Sequence, residues 1–315
     1  MGKSAKKISS ISMVSIITVN YNNTKVTLEL LRSIEKLGMK DIQMVVVDNG
    51  SRENPGPLLK AQHPWITFVR SDINLGFAGG NNLGIRKAKG DYFFFINNDT
   101  EFKADILPRL VSMMKSNPAI GVLCPLLYYF DTPDVMQYAG FTPFNKVTCR
   151  NECLTATAAA DDEGLSYTSF PHGAAMMIPK RVVEAVGMMP ETYFLYYEEH
   201  DWAEMIKKHG FKIAVDTQSM LFHKESQTVG PISELKSYFM SRNRILFMRR
   251  NSRSFYLTLF WIYFLLVATP KSLVSYALKK QWGNIKAHLA GIGWNFQSPI
   301  YSQKIGYKFN NLRYS

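Results

Sequence analysis

The chain has 315 residues, 46% hydrophobic and 20% charged, with a formal net charge of +12. That balance fits a globular α/β domain with an appended segment and excludes a disordered chain. Three cysteines, Cys124, Cys149 and Cys153, are too few for a disulfide framework and fit plain thiols in a reducing compartment.

The opening "MGKSAKKISS" is basic and polar, and no apolar h-region follows it, so no secretory signal is expected. "SIITVN" (15–20) is solidly apolar and β-branched, a buried strand. A helix follows with Val26, Leu30, Leu31, Ile34 and Leu37 on one face and Gly38 as its stop. "IQMVVV" (42–47) and "ITFV" (66–69) read as the next strands, "GGNNLGIRKAKG" as a short helix closed by Gly90, and "YFFFI" (92–96) as a fourth strand. Strands without polar alternation, separated by helices, predict a Rossmann-like, mostly parallel sheet covered on both faces.

Each strand ends on polar residues: Asn20-Tyr21, Asp48-Asn49, the Asn74 loop, and Asn97-Asn98-Asp99. Ligands of open α/β sheets bind outside the carboxyl ends of the strands, so these clusters line one crevice. "NLGFAGGNN" (74–82) is glycine-rich and leads into a helix, which suits phosphates. It is neither G-x-G-x-x-G nor a P-loop. Asp99, closing a buried strand, is a natural ligand for Mg²⁺ or Mn²⁺ bridging phosphate oxygens.

In the second half, "HGAAMMI" (172–178) is either a small-residue surface for a substrate or a core strand, and "IPKRVVEAVG" is a short helix ending at Gly187. "ETYFLYYEEHDWAEMIKKHGF" (191–211) puts Glu198, Glu199 and Asp201 at a helix start behind four aromatic residues. The helix dipole alone accounts for acidic residues there. Mutual repulsion and aromatic surroundings can also hold one carboxylate basic enough to accept a proton.

The positive charge asks for an anionic partner. No zinc-finger spacing, RNP-like motif or basic recognition helix is present, so nucleic acid is not expected. Basic residues from Lys236 to Arg253 precede "FYLTLFWIYFLLVAT", and Lys271, Lys279 and Lys280 follow it, which points to a membrane surface. That uncharged run of fifteen is shorter than the roughly 20 residues of a spanning helix unless it continues past Pro270. "LKKQWGNIKAHLAGIGWNF" mixes lysines with apolar residues, as helices lying among headgroups do. Attachment to the cytoplasmic leaflet is expected, with spanning and lying in the surface both open.

Together "SIITVNYNN", "VVVDNGS", "NLGFAGGNNLGI", "NNDT" and "YYEEHDWAEMIKKHG" resemble the family 2 glycosyltransferases of GT-A fold, particularly the rhamnosyltransferase-like branch. The resemblance implies a catalytic domain over 13–251 (nucleotide part about 13–125, acceptor part about 126–251) and a helical, membrane-surface segment over 252–315. It implies inverting transfer from a nucleotide-diphospho sugar to a saccharide acceptor, lipid-linked, in cell-surface polysaccharide synthesis, with a divalent cation. Nucleotide-binding residues would be Thr18, Asn20, Tyr21, Asp48, Asn49, Ser51, Asn74, Gly76, Gly80, Asn81 and Asn98. His172, Gly173 and Ala174 would meet the acceptor. Asp99 would hold the metal, and His223 in "FHKES" the metal or the diphosphate. The base falls on Glu199, with Glu198 and Asp201 open; Arg242 in "RNRILFMRRN" is a diphosphate candidate. dTDP-rhamnose is the favoured donor, and galactofuranose or N-acetylglucosamine donors use the same frame. A nucleotidyltransferase and a non-catalytic nucleotide-sugar-binding scaffold are the competing readings.

Overall fold

Four apolar segments form the parallel half of one mixed sheet: β1 (Val14–Asn20), β2 (Ile42–Asn49), β3 (Thr67–Ser71) and β4 (Tyr92–Ile96), side by side in the order β3-β2-β1-β4. The structure, a computed structural model, describes residues 12–156, 160–224 and 233–307. The basic start of the chain and the last two residues of "FHKES" lie outside them. β4 and most of β1 and β2 are buried, which is why those strands are written without polar alternation. Register sets the site: Asn20 pairs with Asp48 and Asp48 with Arg70, so the polar strand ends form one row.

Helices α1 (Thr24–Leu37), α2 (Gly56–Gln62) and α3 (Gly76–Ile85) connect these strands. α1 stops where Gly38 turns left-handed at φ 59° and donates its N–H to the Glu35 carbonyl. The glycines of α3 permit close packing. A Cβ on Gly84 would lie 2.4 Å from Ile17 Cγ2, and one on Gly80 2.9 Å from Val19 Cγ1, so the helix presses directly on β1.

The other half of the sheet is mixed. After β5 (Thr100–Glu101) and α4 (Leu107–Ser116), β6 (Ile120–Tyr129) runs parallel to the later β10 (Lys212–His223). β7 (Met136–Tyr138) pairs with β6, and β8 (Leu165–Tyr167) with β10. "AAMMI" becomes the fully buried β9 (Ala175–Pro179), inserted antiparallel between β4 and β6. β10 pairs with β5 so that His223 sits opposite Thr100 and reaches the crevice beside Asp99. α5 (Lys180–Val186), a 3₁₀ turn (Glu191–Tyr193) and α6 (Glu198–Lys208) link β9 to β10.

α7 (Glu234–Asn251) leads to one long apolar helix of 25 residues, Ser254–Leu278. Its parts are α8 (Ser254–Tyr263), a π-turn (Phe264–Ala268) and α9 (Thr269–Leu278). The wide turn comes just before Pro270, which lacks the N–H a regular turn would use, so the helix passes the proline unbroken. Phe260, Phe264 and Ala268, spaced by four, are buried against the body, whereas Ile262, Leu266, Val274 and Leu278 are exposed. α10 (Trp282–Gln297) returns against α7, so close at Gly291 that a Cβ there would meet Ser241 Oγ at 2.3 Å.

Candidate active site

At the strand ends Asn20 Nδ2 donates to Asp48 Oδ1 at 2.9 Å and lies 3.3 Å from Ser51 Oγ. Thr27 Oγ1 donates to Asn20 Oδ1, and Asn98 Nδ2 donates to Thr27 Oγ1, both at 2.9 Å. Asp48 is fully buried, its second oxygen 3.6 Å from Arg70 Nε. One hydrogen-bonded row therefore joins Asn20, Asp48, Ser51 and Asn98 beside a cavity of about 440 Å³ lined by Asn22, Thr24, Ser51, Arg52 and Glu53. Tyr21 is half-buried at its edge. Thr18 is fully buried on β1, its hydroxyl without a hydrogen bond among the described residues.

The glycine-rich segment is tied to the protein. Asn49 Nδ2 donates to Asn74 Oδ1 and the Gly76 carbonyl, and Asn49 Oδ1 accepts from Leu75 N–H. Asn81 Nδ2 donates to the Phe77 carbonyl. Gly76 has φ 73°, and a Cβ there would lie 2.1 Å from the Phe194 carbonyl oxygen, which itself accepts from Phe77 N–H. Asn49, Asn74, Gly76 and Gly80 thus dock the segment on β1 and on the loop ahead of α6.

Asp99 and His223 converge, Oδ1 to Nε2 at 3.1 Å, both buried. His223 Nδ1 lies 2.9 Å from Gln137 Oε1; with the proton on Nδ1, the Nε2 lone pair faces the carboxylate. In that tautomer two acceptors face each other, and Asp99 Oδ1 has no assigned hydrogen-bond donor among the described residues. A cation between them resolves that repulsion, and the O/N donor pair suits Mn²⁺. Among the described residues no three His, Cys, Asp or Glu side chains meet at one point, so further ligands would come from the substrate or water.

The three carboxylates of α6 have three environments. Asp201 is buried with both oxygens engaged: Arg250 Nε and Nη2 at 2.9 and 2.8 Å, and Asn251 Nδ2 at 2.5 Å. It fastens α6 to the end of α7. Glu198 is buried, with no partner for Oε2 among the described residues; burial, then the charge of Glu199, pushes its carboxyl well above the usual range. Glu199 faces a cavity. Burial pushes its carboxyl up, but the charge and hydrogen bond of His200, with His172 behind, outweigh this and hold it below the usual range. His200 Nδ1 lies 3.0 Å from Glu199 Oε1, its ring among Phe141, Phe144, Phe170 and Tyr197.

A Cβ on Gly173 would stand 3.9 Å from Glu199 Cδ, so "HGA" reaches the same carboxylate. His172 is stacked on Phe141, and its Nδ1 accepts from Ala174 N–H. Burial, then the neighbouring His223 charge, lowers its pKa to about 4. The Ala174 carbonyl accepts from Asn97 N–H, tying this turn to the end of β4.

The loop ahead of α6 is strained. Phe194, Tyr196 and Tyr197 have φ of 64°, 69° and 76°, each left-handed and costly for a residue with a Cβ. Asn243 of α7 holds it, Nδ2 donating to the carbonyls of Tyr193, Leu195 and Tyr196 at 3.0, 2.8 and 2.9 Å. Arg242 adds bonds to the carbonyls of Thr192 and Tyr193. Its guanidinium, fully buried over the Trp294 ring at 3.8 Å, belongs to this clamp and is remote from a diphosphate role. The sequence reading missed Asn243, Gln137 and His200. His200, adjacent in "EEHD", was the one with a local signal.

The profile described as "Glycosyl transferase family 2" matches residues 15–187. The chain is 26% identical over 210 residues to the low-salt glycan biosynthesis hexosyltransferase Agl10 of Haloferax volcanii, covering 64% of this chain and 63% of that protein. It is 26% identical over 298 residues to the dTDP-rhamnosyl transferase RfbF of Shigella flexneri, covering 89% and 96%. The chain spans less than two thirds of several relatives, 42% of an uncharacterized glycosyltransferase of Haemophilus influenzae among them. Among solved structures it resembles GalNAc-T7 with UDP, GalNAc and Mn²⁺ (TM-score 0.63, 14% identity, 76% of this chain, 48% of that one). It also resembles the mannosyltransferase PcManGT of Pyrobaculum calidifontis with GDP-Man and Mn²⁺ (TM-score 0.55, 15% identity, 91% and 88%). At those identities the structural likeness establishes the fold, which is GT-A.

The clamp generates one expectation. Asn243→Ala leaves three inward carbonyls without their donor, and each buried unsatisfied group costs ~1–3 kcal/mol. Urea denaturation should show a loss of more than about 2 kcal/mol; a variant as stable as the parent would contradict the clamp.

Proposed function

Because the chain belongs to glycosyl transferase family 2, we propose that it transfers a sugar, with inversion, from a nucleotide-diphospho donor to a saccharide hydroxyl, Glu199 acting as the base. The observation that carries this is the division of labour on α6: of three carboxylates only Glu199 lines a cavity, and the same carboxylate meets Gly173. Access decides here, because a base must reach the proton before its pKa matters.

Glu199, held ionised by His200, accepts the proton of the acceptor hydroxyl as that oxygen bonds to the anomeric carbon. The bond from that carbon to the diphosphate breaks on the opposite side, and the nucleoside diphosphate departs. Asn20, Asp48 and Ser51 seat the nucleoside, and Asn98 extends that row toward the phosphates. Asp99 and His223 would hold a divalent cation, which when bound supplies positive charge against the leaving diphosphate. In this reading 13–251 is the catalytic unit. The dTDP-rhamnosyl transferase match along 89% of the chain makes dTDP-rhamnose the first donor to try. A non-catalytic scaffold would have no use for an ionised Glu199 at a cavity wall.

Glu199→Gln should lower turnover by about two to four powers of ten, with donor affinity kept. Glu198→Gln should not, and the opposite ranking would sink the assignment. The pH dependence follows from the same pair. Glu199's carboxyl is depressed, so turnover should persist as pH falls through the ordinary carboxylate range and fail below it. His200→Phe removes the depressing partner and leaves burial, which raises the pKa, so the acid limb should move to higher pH. An unmoved limb contradicts the pairing.

For the cation, Asp99→Asn and His223→Gln should each weaken Mn²⁺ binding read by electron paramagnetic resonance. Unchanged Mn²⁺ affinity in both would remove the site.

The C-terminal helices suit the cytoplasmic surface of a membrane. Ile262, Leu266, Val274 and Leu278 on one helix and Trp282, Leu289 and Phe296 on the next are exposed, with Lys271, Lys279, Lys280 and Lys286 exposed among them. A helix with one stripe in the core and the other outward fits lying in the surface better than crossing. Leu266→Glu with Trp282→Glu should abolish co-sedimentation with phosphatidylglycerol vesicles. Undiminished binding, or none by the parent protein, would refute this.

A further inference from the structure

The cavity at Glu199 has a far side formed by α7 and the C-terminal helices. Its volume is about 440 Å³, within the usual range of small-molecule sites. Ser237, Ser241 and Arg244 of α7, Phe264, Ser272 and Tyr276 of the apolar helix, and His288 of α10 line that side. Glu199 is the one carboxylate among the lining residues, against two guanidiniums, Arg150 and Arg244.

We propose that this far end is a phosphate site, and that the acceptor is a sugar 1-phosphate ester whose hydroxyl meets Glu199 while its phosphate meets Arg244 and His288. The proposal rests on the glycosyl-transfer reading above and adds the acceptor's class. Arg244 is half-buried; its Nε and Nη2 donate to the Thr148 carbonyl, which fixes the fork. Its Nη1 has no protein acceptor among the hydrogen bonds of the described residues. The same side offers His288, 7% exposed, whose Nε2 has no partner among the described residues. Its ring is fixed by stacking on Phe264, centroids 6.2 Å apart and planes within 5°, and by the edge of Tyr276. Burial, then the Arg244 charge, lowers its pKa to about 4, so it enters as a neutral ring able to donate one N–H. A buried polar atom without a partner is uncommon, and an anion bridging His288 and Arg244 satisfies both. On the same side Tyr276 OH accepts from Ser237 Oγ at 3.2 Å, leaving its own proton to give.

A free sugar phosphate and a lipid-borne one share this chemistry. The apolar helix contributes both the inner wall and the exposed outer stripe, so a lipid chain on the phosphate would have a surface to follow.

The test uses the full-length protein in detergent, with UDP and dTDP present to occupy the donor crevice. Glucose, glucose 1-phosphate and its decyl phosphodiester are titrated by calorimetry. Both phosphates should bind about tenfold or more tighter than glucose, the effect of one charge-assisted hydrogen bond. Arg244→Gln and His288→Ala should each erase most of that advantage, and Arg244→Lys should keep part of it. Thermal unfolding checks each variant; should Arg244→Gln not fold, Arg244→Lys and His288→Gln carry the comparison. Tighter binding of the decyl ester supports a lipid-borne acceptor, and equal binding a free one. Glucose binding as well as the phosphates, no binding by any probe, or variants that keep the full advantage would overturn the proposal. A separate titration of UDP and dTDP alone isolates the parent reading: if no nucleoside diphosphate binds, that reading fails whatever the phosphate probes do.

Discussion

The site depends on a strained loop held from behind. Phe194, Tyr196 and Tyr197 sit left-handed immediately before α6, and each such residue costs ~1–3 kcal/mol. Local backbone bonds, Phe194 N–H to the Glu191 carbonyl and Leu195 N–H to that of Tyr193, hold part of the loop, and Asn243 adds one amide presented to three carbonyls. The loop sets where α6 begins, and so where Glu198 and Glu199 point. Its Phe194 carbonyl also receives Phe77 N–H, which fixes the glycine-rich segment. Both sides of the crevice are therefore referred to one asparagine on α7.

That dependence reaches the chain's end. Arg242, next to Asn243, is buried between the loop carbonyls and the face of Trp294, and Asn295 Nδ2 donates to the Arg242 carbonyl. Phe260, Phe264, Ile292 and Trp294 join the same core as the sheet. The C-terminal helices thus do structural work for the carboxylates while turning another face outward. An engineered truncation at the start of the apolar helix would uncover that core.

Much of the first half was legible. The solid apolar runs form strands, β1, β2 and β4 mostly buried and β3 half-buried, and their polar ends fall in register because parallel neighbours align. Gly38 and Gly187 end their helices where the sequence suggests, for want of a Cβ at positive φ. What was illegible is non-local. Nothing in "AAMMI" says that it runs antiparallel between β4 and β6. Nothing in "EEHD" says which carboxylate is taken by Arg250 and Asn251, some fifty residues on. The roles of Glu198 and Glu199 diverge through burial and one histidine, two differences that adjacent letters cannot show. Arg242, a diphosphate candidate by resemblance, is engaged by loop carbonyls and the Trp294 ring, contacts that have no sequence signature.

A single displacement served by one cavity-lining carboxylate is tested most directly by the anomeric configuration of the product. Purified full-length protein with Mn²⁺ is offered a panel of nucleotide sugars of known anomeric configuration, and the glycoside formed is assigned by proton NMR. The account predicts the configuration opposite to the donor's, with one nucleoside diphosphate released per bond made. A retained configuration would contradict it, because one in-line displacement inverts the anomeric carbon.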